Sequence, residues 1–198
     1  MAWTCVLLLA TDQASLALRR YATPELCAVS GTGIHDASAS IGTAPITISE
    51  RKTWDVAVKQ PAQTDPRWPK RCACGYVFQE TDAWQLSPSR LYERQDTHER
   101  LTLHEAEPGM LWDASWYLDF HPPWAGPDGR SLVMRLPGGG EWAIDGPSSN
   151  GPGWSRTGEP PKITARPSIL SHASGTIKGY HGWLTDGVLT DDLEGRQY

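Results

Sequence analysis

Cys72-Ala73-Cys74-Gly75 is the stretch of the sequence with the most pointed chemistry. Two thiols one residue apart, on a turn that glycine lets curl, make half of a zinc knuckle. The aromatic run Tyr76-Val77-Phe78 follows directly. Neighbours this close do not easily form a disulfide with each other, so the spacing suits a metal or free thiols in a reducing compartment. A closed structural zinc site needs four ligands. Cys27 and His35 share one Gly-rich loop with seven residues between them, and they complete an expected set of Cys27, His35, Cys72 and Cys74. In the plainer alternative Cys27 is a small buried apolar residue, His35 a solvated loop histidine, and the pair ordinary core thiols. The metal version has a physical motive. Surroundings rich in Pro and Gly bury little apolar area, and ligation supplies folding energy. Four protein ligands also leave no open position for a water nucleophile, so the site would be structural.

The remaining polar residues offer weaker chemistry. The histidines are His35, His98, His104, His121, His172 and His181, and none has the paired helical spacing of zinc proteases. His172 and His181 flank a turn-rich segment and could converge with Asp186 as an open metal site or general base. That defines an alternative reading, a small metal-dependent hydrolase. Solvated histidines are the commoner outcome. Acid pairs such as Asp191-Asp192 and Glu105/Glu107 have no opposing partner in the sequence. Gly138-Gly139-Gly140 lacks the Lys and helix start of a phosphate cradle. Ser149-Asn150-Gly151 lacks the strand and glycines of a nucleophile elbow. No catalytic residue is therefore assigned.

Ten tryptophans against two phenylalanines is the compositional oddity. Large rings fill the core of a loop-rich β protein efficiently, at about 200 Å² each, and that accounts for most of them. Trp124 and Trp154 stand in Pro/Gly loops and are the expected exposed pair, which opens a third reading as a carbohydrate-binding module.

The elements that must position these groups are short and mostly extended. Gly (19) and Pro (16) make about one residue in six of the 198, which favours turns over long helices. Ala2 to Tyr21 reads as a hairpin turning near Asp12, and Ala22 to Ser40 as loop. Ile46 to Ile48 and Trp54 to Val58 are β-prone. Pro61 to Pro69 is a connector leading into the cysteine pair. Leu91 to Glu105 fits a hairpin turning at Asp96–Glu99, and Trp112 and Trp116 suit a short helix. The clearest hairpin has strands at Arg130–Leu136 and Glu141–Asp145, joined by Pro137-Gly138-Gly139-Gly140. Gly146 to Pro161 reads as a long loop. Asp186-Gly187 is a strong hairpin turn. The expected fold is mostly β, a single domain over 1–198 of short antiparallel strands and long Gly/Pro loops, sandwich or barrel-like, with a zinc-knuckle-like turn.

Charge and targeting narrow the partners. A net charge of −5 argues against general nucleic-acid binding, which needs clustered Lys and Arg. No apolar stretch approaches the roughly 20 residues that span a bilayer. Met1 to Ala10 lacks the basic start and the apolar length of a signal peptide and reads as a buried strand. The expectation is a soluble protein synthesised in the cytoplasm, without membrane partners.

Pro161 to Ile169, with Pro167-Ser168-Ile169, and then His181-Gly182-Trp183-Leu184-Thr185-Asp186-Gly187 resemble the tail of a family of small phage and prophage proteins. Its members show a Cys-x-Cys-Gly or Cys-x-x-Cys-Gly knuckle, Trp positions, Pro-Ser-Ile, and a Cys-His or Tyr-His step before an Asp-Gly turn. Cys72-Ala73-Cys74-Gly75 matches the knuckle, Trp142 the middle and His181 the histidine, over about half the chain. Tyr180 stands where some relatives carry Cys. Some members are labelled ammonia monooxygenase, a label this sequence, without copper ligands or a membrane span, does not fit. The resemblance implies a phage or prophage origin with an actinobacterial host and a small β-rich knuckle protein, with no activity attached. The first expectation is thus a non-enzymatic, phage-encoded structural or interaction protein, with virion proteins of capsid or tail as partners and a structural zinc.

Overall fold

The computed structural model describes residues 1–24, 26–48, 54–148, 151 and 153–191. The strands are β1 (Ala2–Thr4), β2 (Val6–Ala22), β3 (His35–Ile48), β4 (Trp54–Val56), β5 (Ala83–Arg94), β6 (Arg100–Leu101) and β7 (Met110–Asp113). They continue with β8 (Leu132–Arg135), β9 (Glu141–Ala143), β10 (Ser155–Glu159), β11 (Lys162–Ser171), β12 (Tyr180–Thr185) and β13 (Val188–Asp191). Helical turns among the described residues are short 3-10 pieces at Leu103–Glu105, Ser115–Asp119 and Pro122–Trp124. The protein is mostly β, as its composition implies.

The chain divides into two compact units, Met1–Ala10 with Tyr92–Tyr198, and Thr11–Leu91. In the first, β1-β13-β12-β11-β10 form an antiparallel sheet. Val6, Leu7 and Leu8 pair in parallel with Met110, Leu111 and Trp112, and β7-β8-β9 continue antiparallel. Leu7, Leu111, Met134 and Trp142 meet Ile163, Ala165, Leu184 and Leu189 in one buried cluster, so two sheets stack face to face without closing into a barrel. Leu8, Met110, Trp112 and Val133, on the opposite face, pack with Tyr92 and Leu101. Burial on both faces explains why Val6-Leu7-Leu8 and Leu132-Val133-Met134 are unbroken apolar runs instead of alternating ones. The N-terminal run, expected as one buried strand, is split between β1 and the start of β2; Cys5, Leu7 and Leu8 are buried, whereas Met1 and Leu9 are exposed.

The second unit is built on the β2–β3 antiparallel pair, with β4 added at Ile46–Ile48. Buried Ala14, Leu16, Leu18, Arg20 and Ala22 alternate with partly exposed residues, the signature of a half-covered strand. Its cores are small. Ala14, Leu16, Ala44 and Val56 form one, and Ala22, Cys27, Cys72 and Phe78 another.

Three elements depart from the sequence-based expectation. β2 runs straight through Thr11-Asp12-Gln13, where a turn is predicted. The Thr11 hydroxyl reaches the carbonyl of Leu91 (2.8 Å), so this polar residue is held within an extended segment instead of breaking it. The predicted loop from Ala22 to Ser40 gives way to strand at His35, because small polar residues there pair with Ala22 back to Ala17. Gly42, at φ +111°, takes up the register shift between Leu16 and Ala17. The predicted loop at Gly146–Pro161 contains β10, paired with β11, and Arg156 is buried there against carboxylates. The hairpins at Asp96–Glu99, Pro137–Gly140 and Asp186–Gly187 form as predicted. Trp112 lies in β7 and Trp116 in the following 3-10 turn, so the two do not share a helix. Ser149, Asn150 and Asp192 lie outside the described residues.

Candidate metal centre

Two turns of the second unit bring four ligand atoms together. The first is the excursion between β2 and β3. Cys27 N–H donates to Thr32 O (2.7 Å) and Gly31 N–H to Cys27 O (2.9 Å), with Gly31 at φ +65°. His35 opens β3 opposite Ala22. The second turn is the knuckle itself. Cys72 N–H donates to Tyr76 O (2.9 Å), and Gly75 N–H donates to Cys72 O (2.9 Å). Gly75 holds φ +97°, a left-handed conformation that a residue with a Cβ adopts only under strain. The Arg71–Val77 bridge and Phe78 N–H to Lys70 O (3.1 Å) close the base of this small hairpin.

Cys27 Sγ lies 3.9 Å from Cys72 Sγ, and His35 Nδ1 lies 3.1 Å from Cys74 Sγ. All four ligand atoms fall within 4.8 Å of one another. Cys27, His35 and Cys72 are buried and Cys74 is half-buried. For comparison, sulfurs about 2.3 Å from a tetrahedral ion stand about 3.8 Å apart. The donor set and its spacing fit a four-coordinate metal.

The polar surroundings favour thiolate at one end of the set. The hydroxyl and backbone N–H of Ser30 bond to the Cys27 sulfur and lower its pKa to about 6. At Cys74 the Tyr76 amide also favours the charged form, but burial and the adjacent Cys72 and Cys27 sulfurs outweigh it and push the thiol up. The imidazole of His35 stacks on Tyr76, with centroids 4.4 Å apart and planes at 23°. Its Nε2 is buried with no hydrogen-bond partner among the described residues. Tyr76 belongs to the aromatic run after the knuckle, whereas Ser30 is not singled out by the sequence; its place three residues after Cys27 in a turn is the usable signal.

The other sequence candidates do not assemble. Among the described residues no other group of three or more His, Cys, Asp or Glu lies close enough to share an ion, so His172, His181 and Asp186 form no such site. His181 Nε2 instead faces Ser168 Oγ at 3.3 Å. The expected exposure of Trp124 and Trp154 is corrected too. Trp124 is half-buried and stacked on His121 (4.5 Å, 16°). Trp154 packs edge-on against Trp142 (5.2 Å, 77°) and donates to Ser168 O. The more exposed rings are Trp116, Trp183 and Trp54.

No family model matches the chain, and neither does any curated protein or solved structure. Among the described residues no helix is long and apolar enough to cross a membrane. The class that fold and site define is a mostly β protein with a buried Cys3His cluster able to hold a metal ion.

Proposed function

We propose that the protein is a non-enzymatic structural or interaction protein whose Thr11–Leu91 unit is clasped by one zinc ion on Cys27, His35, Cys72 and Cys74. The observation that carries this reading is the convergence of three sulfurs and an imidazole nitrogen within 4.8 Å. All four coordination positions come from the chain, which is the pattern of a structural and not a hydrolytic ion. When bound, zinc would hold the two turns together, and structural zinc in small domains is worth about 10–16 kcal/mol of apparent folding energy. The need is plain in a unit whose two buried clusters are each built on four residues. The setting we propose is a phage particle or its assembly, with other virion proteins as partners. Its support is the knuckle together with the Pro167-Ser168-Ile169 and His181–Gly187 tail.

Elemental analysis of the purified full chain, prepared under reducing conditions, tests the metal. The expected result is about one zinc per molecule in the wild type and none in Cys72→Ser. Wild-type protein that neither holds nor takes up zinc overturns the reading. Mass spectrometry of purified particles tests the setting, many copies per particle being expected; absence from particles removes the virion role.

A further inference from the structure

Arg20 is a cation in the wrong place for a metal-free protein. It projects from β2 on the same face as Leu18 and Ala22, and is nine-tenths buried. Ala22 belongs to the cluster that holds Cys27, Cys72 and Phe78. The guanidinium carbon sits 5.4 Å from the centroid of the Phe78 ring, and one terminal nitrogen donates to Gln79 O, one residue further along. Nε is buried with no partner, and no described carboxylate forms an ion pair with this side chain. Asp36 and Asp82 are engaged elsewhere, and Glu80, next to Gln79, is exposed. Asp36 takes Arg19, on the other face of β2, through Nε at 2.9 and 3.0 Å. Asp82 accepts from Tyr76 Oη (3.1 Å) and Gln79 N–H (2.7 Å). A buried guanidinium resting on one backbone carbonyl and an aromatic face is a net cost unless a negative charge lies close by.

We infer that Arg20 is the counter-charge of the metal centre, a positioning residue that tunes how tightly the Cys27/His35/Cys72/Cys74 set holds its divalent ion. The inference rests on the zinc reading above. A divalent ion with three thiolates and one neutral imidazole sums to −1. Arg20 supplies +1 against the ring of Phe78, which shares a buried cluster with Cys27 and Cys72, in a region where burial weakens solvent screening. Its hydrogen bond to Gln79 also ties β2 to the segment that follows the knuckle, so charge and position arrive together. Groups behind the ligands commonly set metal affinity by 10–100-fold, without touching the ion.

Chelator competition on the full chain measures the zinc affinity of the wild type, Arg20→Lys and Arg20→Gln, and thermal melts compare each with and without zinc. Arg20→Gln, which keeps a donor for Gln79 O but loses the charge, is expected to bind zinc about tenfold or more weakly. Its zinc-free form should be no less stable than zinc-free wild type. Arg20→Lys should stay within about threefold of the wild type. Equal affinities in the Lys and Gln variants overturn the inference, as does an equal loss of stability in the loaded and zinc-free forms of Arg20→Gln. Arg20→Met is the second neutral variant. Folding of Arg20→Lys with zinc while neither neutral variant folds supports the charge; failure of all three shows that shape is what matters and overturns it. A wild type without zinc overturns this inference together with the zinc reading, whereas a zinc-loaded wild type with indifferent variants overturns this inference alone.

Discussion

The sulfurs of Cys27 and Cys72 lie 3.9 Å apart although the two residues are 45 positions apart in the chain. Both turns carry their own hydrogen bonds, yet little apolar surface holds one against the other. Removing the proposed zinc with a chelator under reducing conditions is expected to free amides around Cys27, Gly31, Cys72 and Gly75 for hydrogen exchange. Amides of Leu111, Ile163 and Leu184, in the large buried cluster, should keep their protection. Uniform exchange along the whole chain would contradict a local clasp.

Arg156 is the buried charge that is fully answered. Its Nε donates to Asp145 Oδ1 at 2.8 Å and its terminal nitrogens to Asp128, while Asp145 Oδ2 accepts from Leu132 N–H. The Arg156 side chain is 1% exposed and that of Asp145 4%. Replacing Asp145 leaves the buried guanidinium with Asp128 alone. Asp145→Asn should cost about 1–3 kcal/mol by denaturant melts. A cost below about 1 kcal/mol would mean that the pair is dispensable.

The same network sets an acid limit. The Arg156 guanidinium holds the Asp128 carboxyl below the usual carboxylate range, with the Arg130 amide assisting. A carboxyl depressed on folding stabilises above its unfolded pKa of about 3.9 and loses that stabilisation as pH falls through the folded value. Wild-type and Asp128→Asn Tm values should therefore differ at neutral pH and converge below about pH 4. Curves that stay parallel into acid would refute the assignment.

Cys5 behaves in the opposite sense. Burial pushes its thiol up to about 12, against a smaller opposing effect from the Leu189 backbone. At pH 8 only about one molecule in ten thousand carries the thiolate there, so native Cys5 should resist alkylation until the protein unfolds. Its folded pKa lies above the unfolded one, so this contribution is present below about pH 9 and declines as pH rises further. Mass mapping after a short iodoacetamide pulse on native protein checks it, and rapid labelling of Cys5 would show an opening there.

Much of the site was legible because its chemistry is local. A two-thiol turn with Gly75 behind it, and a cysteine and histidine sharing one glycine-rich stretch, are patterns in the residue types themselves. The hairpins with strong turn residues were legible for the same reason. β3 and β10 were not, since Asp36 to Ser40 and Ser155 to Glu159 have little strand propensity and owe their conformation to partners far along the chain. Arg20 shows the limit most clearly: the alternation that buries Leu16 and Leu18 puts it on the same face, but the Phe78 ring and the Gln79 carbonyl that receive it lie nearly sixty residues away in the chain.

β1 pairs Ala2, Trp3 and Thr4 with Thr190, Leu189 and Val188, so the start of the chain finds its place only when the end has been made. Every ligand of the clasp, by contrast, has been polymerised once Cys74 is added. The four candidate ligands all lie between Cys27 and Cys74, so that stretch can gather an ion without waiting for the residues that follow it.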